Sequence, residues 1–129
     1  RIKSIKNGDW IDLRTGIDLI MRKGDFRLIP LGVAMQLPEN TEALVIPRSS
    51  TFKKYGIIQA NSVGLIDESY CGEKDEWMFP AYATRDIVIP KNTRICQFRI
   101  QEHQPLVTLT EVEFLSGTSR GGFGSTGER

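Results

Sequence analysis

Short apolar runs separated by turn residues constrain the fold of this 129-residue chain more than any other feature. Gly, Pro, Asn and Asp punctuate the runs at intervals near the ~8–12 residues typical of a β-sandwich or barrel. No stretch of twelve or more residues carries a convincing helical period. The pattern predicts an all-β domain of short strands in two packed sheets. The runs are Ile17–Met21, Phe26–Ile29, Leu44–Ile46, Ile57–Ile58, Trp77–Phe79, Ile87–Ile89 and Leu106–Leu109.

Two segments alternate between apolar and polar residues and predict half-buried strands, Arg94–Gln101 and Thr108–Phe114. Five of the six prolines flank or interrupt apolar runs, where strand ends and edges tolerate a residue without an N–H. The last fourteen residues, Ser116–Arg129, hold five glycines, and Phe123 is their single large apolar group. We therefore expect a core over residues 1–115 followed by a mobile Gly-rich arm over residues 116–129.

Charge and composition exclude several classes of protein. Seventeen Lys and Arg against sixteen Asp and Glu give a net charge of +1, which argues against a nucleic-acid or membrane-surface partner. No apolar run approaches the ~20 residues that span a bilayer. Two cysteines, Cys71 and Cys96, are too few for a disulfide scaffold and lack metal-binding spacing. We expect reduced thiols in a cytoplasmic protein.

Three polar or Gly-rich segments exceed what a β-sandwich needs. In the first, Arg48 adjoins Ser49 and Ser50, with Lys53 and Lys54 behind them. Charged donors, hydroxyls and backbone N–H groups in one turn suit phosphate oxygens. The alternative is a solvated loop with a serine cap.

The second segment runs from Asn61 to Glu73, and Gly64 within it indicates a hairpin or tight strand reversal. Asp67 follows an apolar run, so we expect a half-desolvated carboxylate that is competent as a general base. Tyr70 offers a flat face to a sugar or a base. The alternative is an Asx turn at Asp67 with Tyr70 in the core.

The third segment is Arg120–Gly127, whose glycines and hydroxyls suit phosphates and whose Phe123 suits stacking on a base. It lacks the ending of a P-loop, and a flexible terminus is the alternative. Together, a phosphate loop, a carboxylate beside an aromatic ring and a Gly-rich arm indicate a nucleotide site.

These segments, in this order, resemble the motifs of the trimeric deoxyuridine triphosphatase (dUTPase) family of bacterial and phage type. PRSSTFKKYG is similar to the second motif, NSVGLIDESYCGE to the third, RICQFRI to the fourth and RGGFGSTG to the fifth. The resemblance runs from about Asp12 to Gly127. It implies a jelly-roll-like β-clip assembled as a homotrimer with shared active sites. It also implies hydrolysis of dUTP to dUMP and pyrophosphate with Mg²⁺.

The resemblance also implies roles for single residues. Asp67 would orient and deprotonate the water that attacks the α-phosphorus, and the Mg²⁺ would be held mainly by the substrate phosphates, with no direct protein ligand. Phosphate contacts would come from Arg48, Ser49, Ser50 and Gln97. Supporting roles would fall to Asp12, Lys54, Arg94 and Arg120.

Recognition of uracil would fall to the segment Asn61 to Ile66, largely through backbone groups that include those of Leu65 and Ile66. Tyr70 would pack under the deoxyribose and exclude ribonucleotides. In the arm, Phe123 would close over the uracil, while Gly124, Ser125 and Thr126 would close over the γ-phosphate.

Three features depart from the family's usual pattern. The first motif has two versions here, around Asp12 and around Asp18, and its distance to the Leu28–Gly32 strand favours Asp12. Arg120 stands three residues before Phe123 instead of five, so its reach to the γ-phosphate is in question. The segment Glu73–Trp77 is longer and more charged than usual; we expect Trp77 in the core or an interface. His103, the single histidine, is expected at the surface.

Two alternatives stay open. A related dCTP deaminase shares the fold and much of the phosphate-binding pattern, although deaminases usually lack a Phe-bearing arm. A regulatory module that binds a protein partner and responds to dUTP is the other, particularly if the chain derives from a phage.

Overall fold

The computed structural model describes residues 9–121, and it forms nine short strands and one five-residue helix over that range. The described part of the chain confirms an all-β fold, and no helix in it is long and apolar enough to cross a membrane. The elements are β1 (Ile11–Arg14), β2 (Leu19–Met21), β3 (Phe26–Pro30), β4 (Thr41–Pro47), α1 (Thr51–Tyr55), β5 (Ile57–Gln59), β6 (Gly64–Asp67), β7 (Met78–Ala83), β8 (Ile87–Ile89) and β9 (Arg94–Glu102).

The strands form three antiparallel sheets, so the expectation of two sheets is wrong. One sheet has the order β1-β9-β4-β6, a second the order β3-β7-β5, and β2 pairs with β8 alone. The β2–β8 pairing covers only Leu19↔Ile89 to Met21↔Ile87. Pro90 follows β8 directly and has no N–H to donate, which ends this ladder after three residues. The non-consecutive strand order is that of the jelly-roll-like fold.

The inner faces of the sheets enclose one apolar core. Trp77, Phe79 and Phe98 are its largest buried aromatic residues, and the rings of Trp77 and Phe98 meet edge to face with centroids 5.2 Å apart. Edge-to-face pairs add to the free energy gained from burial alone. Trp77 therefore lies in the core and anchors the chain that follows the second polar segment.

Helix α1 reverses the chain between β4 and β5. It ends at Gly56, whose φ of 63° lies in the left-handed region that favours glycine. The Arg85 guanidinium donates to the last carbonyls of the helix, at 3.3 Å from Lys53 O and 2.8 Å from Lys54 O. These contacts hold the end of the helix that carries Lys53 and Lys54 of the first polar segment.

The segment after β9 departs from the sequence prediction. Residues 104–121 are exposed and form no strand in the described chain, so the strand predicted over Thr108–Phe114 is wrong for a single subunit. Leu106, Leu109 and Phe114 are 100%, 91% and 82% exposed. A strand needs a neighbouring edge with which to pair, and periodicity within one segment carries no information about that edge.

Candidate active site

Asp12, Arg48 and Arg94 converge at one end of the four-stranded sheet, and we call them the arginine cluster. Arg48 Nε donates to Asp12 Oδ1 at 3.0 Å, and Arg94 Nη1 lies 3.4 Å from Asp12 Oδ2. Asp12 lies on β1, Arg94 begins β9, and Arg48 directly follows β4. Two guanidinium groups share one carboxylate, so the cluster keeps a net positive charge and N–H donors for an anion.

Only one of the two candidate aspartates of the first motif joins this cluster. Asp12 contacts both arginines. Asp18 instead accepts a hydrogen bond from the backbone N–H of Lys91 at 2.7 Å. The register of β1 against β9, which pairs Asp12 with Gln97, places Asp12 in the cluster.

The loop between β4 and α1 carries the predicted phosphate-binding serines. Ser49 is exposed, and Ser50 occupies the N-cap position without a side-chain capping hydrogen bond. The Ser50 side chain therefore does not cap the helix. Lys54 is exposed on α1.

Thr51 holds this loop in place, and sequence analysis missed it. Its hydroxyl is buried, donates to Ile95 O at 2.6 Å and accepts from the backbone N–H of Arg48 at 2.9 Å. Gln97 adds a second link, because its Nε2 donates to Pro47 O at 3.2 Å. A threonine among polar residues gives no local signal of burial, since the partner strand is 44 residues away.

The second polar segment forms a tight reversal over residues 59–64. Ser62 N donates to Gln59 O at 3.1 Å, and Ser62 has a φ of 65°. The flanking strands pair with different neighbours, β5 with β7 and β6 with β4. These residues therefore form a tight reversal and not a two-stranded hairpin. The reversal connects β5, in the three-stranded sheet, to β6, in the four-stranded sheet.

A cavity of about 490 Å³ opens beside this reversal, and we call it the Asp67 cavity. Its size falls within the ~300–1,000 Å³ typical of small-molecule sites. Five predicted site residues line it together: Asn61, Leu65, Ile66, Asp67 and Tyr70. Core and sheet residues complete the wall, among them Leu28, Trp77 and Met78.

Asp67 is more exposed than the sequence predicted, with 59% of its side chain accessible. Its Oδ2 accepts from Ser69 Oγ at 2.5 Å and from Ser69 N at 3.0 Å. These two bonds, the hydroxyl first, hold the pKa of Asp67 below its usual value because they stabilise the charged form. The Asx turn that sequence analysis kept as an alternative is present, and it delivers an ionised carboxylate to the cavity.

Tyr70 lies at the cavity wall and not in the core. Its hydroxyl donates to Glu76 O at 2.9 Å, which fixes the plane of the ring. Glu76 in turn accepts from the backbone N–H of Gly32 at 3.0 Å, and Asp75 accepts from Gly72 N at 3.0 Å. The charged segment Glu73–Trp77 is thus folded back onto its own chain, with Glu73 and Lys74 exposed.

His103 lies at the surface as a half-buried residue, with 32% of its side chain exposed. Its Nε2 lies 3.3 Å from Asp67 Oδ1, and its Nδ1 lies 3.4 Å from Glu68 Oε1. His103 directly follows β9 and lies two residues after Gln101, so it extends the face of the sheet that carries Gln101 toward the end of β6.

The arginine cluster and the Asp67 cavity lie at opposite ends of β4. Asp67 pairs with Glu42 near the start of β4, whereas Arg48 follows its last residue. Six residues of extended strand separate the two, which corresponds to about 20 Å. A single subunit therefore does not bring the predicted phosphate contacts to the predicted base. Four predicted residues of the arm, Phe123, Gly124, Ser125 and Thr126, lie outside the described residues.

Known proteins of one family resemble this chain over nearly its whole length. The family model for dUTPase matches residues 10–127. The chain is 57% identical over 129 residues to the SPbeta prophage-derived deoxyuridine 5'-triphosphate nucleotidohydrolase YosS of Bacillus subtilis strain 168, covering 100% of this chain and 91% of that protein. It is 39% identical to the deoxyuridine 5'-triphosphate nucleotidohydrolase of Rickettsia prowazekii, covering 87% of this chain and 81% of that protein.

Solved structures share the fold. The dUTPase of Streptococcus mutans matches with a TM-score of 0.75 at 20% identity, covering 83% of this chain and 88% of that one. The dUTPase of Staphylococcus bacteriophage 80alpha with dUPNHPP matches with a TM-score of 0.76 at 17% identity, covering 98% of this chain and 89% of that one. With a family model over nearly its whole length and a relative identical at more than half of its positions, this chain belongs to the dUTPase family.

Proposed function

We propose that this chain, a dUTP diphosphatase of the dUTPase family, hydrolyses dUTP to dUMP and pyrophosphate with a water molecule activated by Asp67. One observation carries the mechanism: the Asp67 carboxylate, held by Ser69 hydrogen bonds that lower its pKa, faces a cavity of nucleoside size that Asn61 and Tyr70 also line. Such a carboxylate is open to water and has an acceptor oxygen left beyond the one that Ser69 binds.

In the proposed reaction, Asp67 orients a water molecule and accepts its proton as the water oxygen bonds to the α-phosphorus. The bond from the α-phosphorus to the bridging oxygen breaks, and pyrophosphate leaves with the electron pair. The lowered pKa of Asp67 keeps the base ionised at neutral pH, so orientation of the water is its main contribution.

Base selection falls to the segment from Asn61 to Ile66. Asn61 and the backbone of Leu65 and Ile66 would offer uracil a matching pattern of donors and acceptors. Cytosine would leave buried polar groups unpaired, and thymine would need room for its methyl group. The Tyr70 ring, fixed by its bond to Glu76 O, would lie under the deoxyribose, where a 2′-hydroxyl would collide with it.

We propose that the phosphates are bound by the arginine cluster of a neighbouring subunit in a homotrimer. The separation of about 20 Å along β4 supports sharing, because the arginine cluster of one subunit lies far from the Asp67 of that subunit. Ser49, Ser50 and Gln97 would join Arg48 at the phosphates, with Lys54 in support. A trimer interface would also bury apolar side chains that are exposed in one subunit. They are Phe26, Leu28 and Tyr82 on the outer face of one sheet, and Leu106, Leu109 and Phe114 beyond β9.

The Mg²⁺ would arrive with the triphosphate as part of the substrate. Within residues 9–121 no three or more metal-ligating side chains converge, and Asp12 is already occupied by two arginines. A substrate-held Mg²⁺ would neutralise charge on the phosphates and align them for in-line attack. The arm would then close the site, with Phe123 over uracil, Gly124, Ser125 and Thr126 over the γ-phosphate, and Arg120 in support.

We place the enzyme in the cytoplasm. Cys71 is an exposed free thiol, which suits a reducing compartment. Cys96 is buried, and burial, with a smaller contribution from Asp12, raises its pKa to about 12. It is therefore an inert core residue.

The test is pyrophosphate release from dUTP, dCTP, dTTP and UTP in the presence of Mg²⁺, with the products separated by chromatography. We expect conversion of dUTP to dUMP and negligible turnover of the other three. Appearance of dUTP from dCTP would replace this proposal with the deaminase alternative.

A second candidate function is regulatory binding of a protein partner. It is supported by the 57% identity to a prophage-derived relative and by the exposed charges of Glu73 and Lys74 beside the Asp67 cavity. Partner capture with and without a non-hydrolysable dUTP analogue tests it, and we expect capture to depend on the analogue.

A further inference from the structure

Two polar side chains, Gln101 at the end of β9 and His103 just beyond it, lie at the end of the sheet that holds Asp67. Gln101 pairs in register with Glu42, and Glu42 pairs in register with Asp67. Residues in register share one face, so the carboxylates of Glu42 and Asp67 are cross-strand neighbours. Like charges directly opposite each other destabilise a sheet unless another group compensates for them.

β9 and the residue that directly follows it supply a polar partner for each of the two carboxylates. Gln101 Nε2 donates to Glu42 Oε2 at 2.6 Å. His103, two residues further along, places its Nε2 3.3 Å from Asp67 Oδ1. Its backbone N–H donates to Asn40 O at 2.9 Å, which fixes the position of the residue beyond the end of the strand.

The environment of the His103 ring directs it to Asp67. The Nε2 atom is enclosed by protein and makes no aligned hydrogen bond in the described structure, so the Asp67 carboxylate is the polar group that faces it. On the other side, Nδ1 faces Glu68 Oε1 at 3.4 Å. The Glu68 carboxylate is itself held, because its Oε2 accepts from Asn40 N at 3.1 Å.

We propose that His103 is a positioning residue for Asp67, fixing the carboxylate from the side opposite Ser69. This inference rests on the proposed role of Asp67 as the base. Ser69 binds Oδ2 and His103 faces Oδ1, so the two together restrict rotation of the carboxylate about its Cβ–Cγ bond. A restricted carboxylate presents its lone pairs to the attacking water in one orientation, which preserves near-attack geometry.

The contact also has an electrostatic consequence. After the two Ser69 hydrogen bonds, the charge of a protonated His103 is a further influence that lowers the pKa of Asp67. We therefore expect removal of His103 to raise the pKa of Asp67. The ionisable groups that the described contacts place beside the pair are acidic: Glu68 on the β6 side, Glu39 before β4, Glu42 on β4 and Glu102 on β9. No nearby cation in this set replaces the histidine.

The experiment compares His103→Ala and His103→Gln with Gln104→Ala, a matched change at the exposed next residue. We expect His103→Ala to lower kcat by about tenfold to a hundredfold with KM for dUTP nearly unchanged, since orientation and not binding is lost. The acidic limb of its kcat/KM profile should move to higher pH. The amide of His103→Gln should restore part of kcat without restoring the limb, because it donates but carries no charge. Gln104→Ala should match the wild type.

The outcomes separate this inference from the proposed function. Wild-type kcat and an unmoved acidic limb in both His103 variants, alongside an inactive Asp67→Asn, would overturn the role of His103 and leave the base intact. A fall in kcat with an unmoved limb would also overturn it, because a structural anchor alone produces that result. An active Asp67→Asn would instead remove the proposed base itself. Thermal unfolding of each variant shows whether it is folded.

Discussion

The two ends of β4 hold two polar sites that are built in different ways. At one end, the arginine cluster joins residues 36 and 82 positions apart in sequence, Asp12 with Arg48 and Asp12 with Arg94. At the other end, the main contacts of the Asp67 cavity are local: Ser69 is two residues from Asp67, and Glu76 is six residues from Tyr70.

Because of this difference, the two sites depend on different parts of the fold. Local contacts form wherever the segment from residue 67 to residue 76 adopts its turns. The arginine cluster exists only when β1, β4 and β9 pair in the observed register. A reaction that needs both sites therefore depends on strand register for the arginine cluster, whereas the polar contacts of Asp67 and Tyr70 come largely from nearby turns inside a cavity walled by β3 and β7.

The largest effect is expected at the locally built end. Asp67→Asn removes the proposed base while keeping the size of the side chain, and we expect kcat to fall by about 10³-fold, within the range for loss of a general base. Binding of a non-hydrolysable dUTP analogue should persist, as measured by calorimetry. Asp18→Asn is the matched control, because that carboxylate bonds Lys91 N and lies outside both sites. Near-normal turnover in Asp67→Asn would remove Asp67 from the mechanism.

The next effect tests whether the two ends meet across subunits. Arg48→Ala should lower turnover by about a hundredfold through loss of a phosphate contact. Co-refolding Arg48→Ala chains with Asp67→Asn chains should then recover activity. In randomly mixed trimers, about a quarter of shared sites combine an intact Asp67 with an intact neighbouring Arg48.

Recovered activity in mixed trimers distinguishes an active site shared between subunits from one formed within a single subunit. Each variant alone stays inactive in this scheme, so recovered pyrophosphate release measures contacts between different chains. Mixed samples that remain as inactive as the separate variants would show that both ends serve one subunit, which would contradict the shared site.

The same difference explains how far the sequence could predict this molecule. Apolar runs located individual strands well: Ile87–Ile89 is β8, and Phe26–Ile29 lies within β3. The run Leu106–Leu109 has the same apolar pattern but forms no strand in the described chain. Its own residues do not determine whether a neighbouring strand is present to pair with it. Periodicity predicts which segments suit a sheet, and long-range pairing decides which of them form one.

The candidate residues follow the same division. Asp67 and Tyr70 stand in a contiguous motif and line one cavity. Spacing along the chain already favoured Asp12 over Asp18, and the register of β1 against β9 explains why Asp12 meets both arginines. Thr51 and His103 gave no signal, because their partners lie on distant strands.

A smaller effect concerns the choice of sugar. Tyr70→Ala should relax discrimination between dUTP and UTP by about tenfold, because the ring that would meet a 2′-hydroxyl is gone. Tyr70→Phe keeps the ring and loses only the bond to Glu76 O, so it should retain most of the discrimination. The ratio of kcat/KM for the two nucleotides measures both, and an unaltered ratio in Tyr70→Ala would remove its role in sugar selection.

The smallest effect concerns stability and arises from the Asx turn. The hydrogen bonds of Ser69 lower the pKa of Asp67 in the folded state, so they stabilise the fold above the unfolded pKa of an aspartate and cease to do so as pH falls through the folded pKa. Ser69→Ala should therefore lower Tm slightly at neutral pH, and its Tm should converge with that of the wild type in acid. Ser116→Ala, at an exposed serine beyond β9, should match the wild type at every pH. A Tm difference that persists unchanged in acid would show that Ser69 stabilises the turn independently of the charge on Asp67. The geometry of the turn beside the Asp67 cavity would then depend on packing and not on this carboxylate.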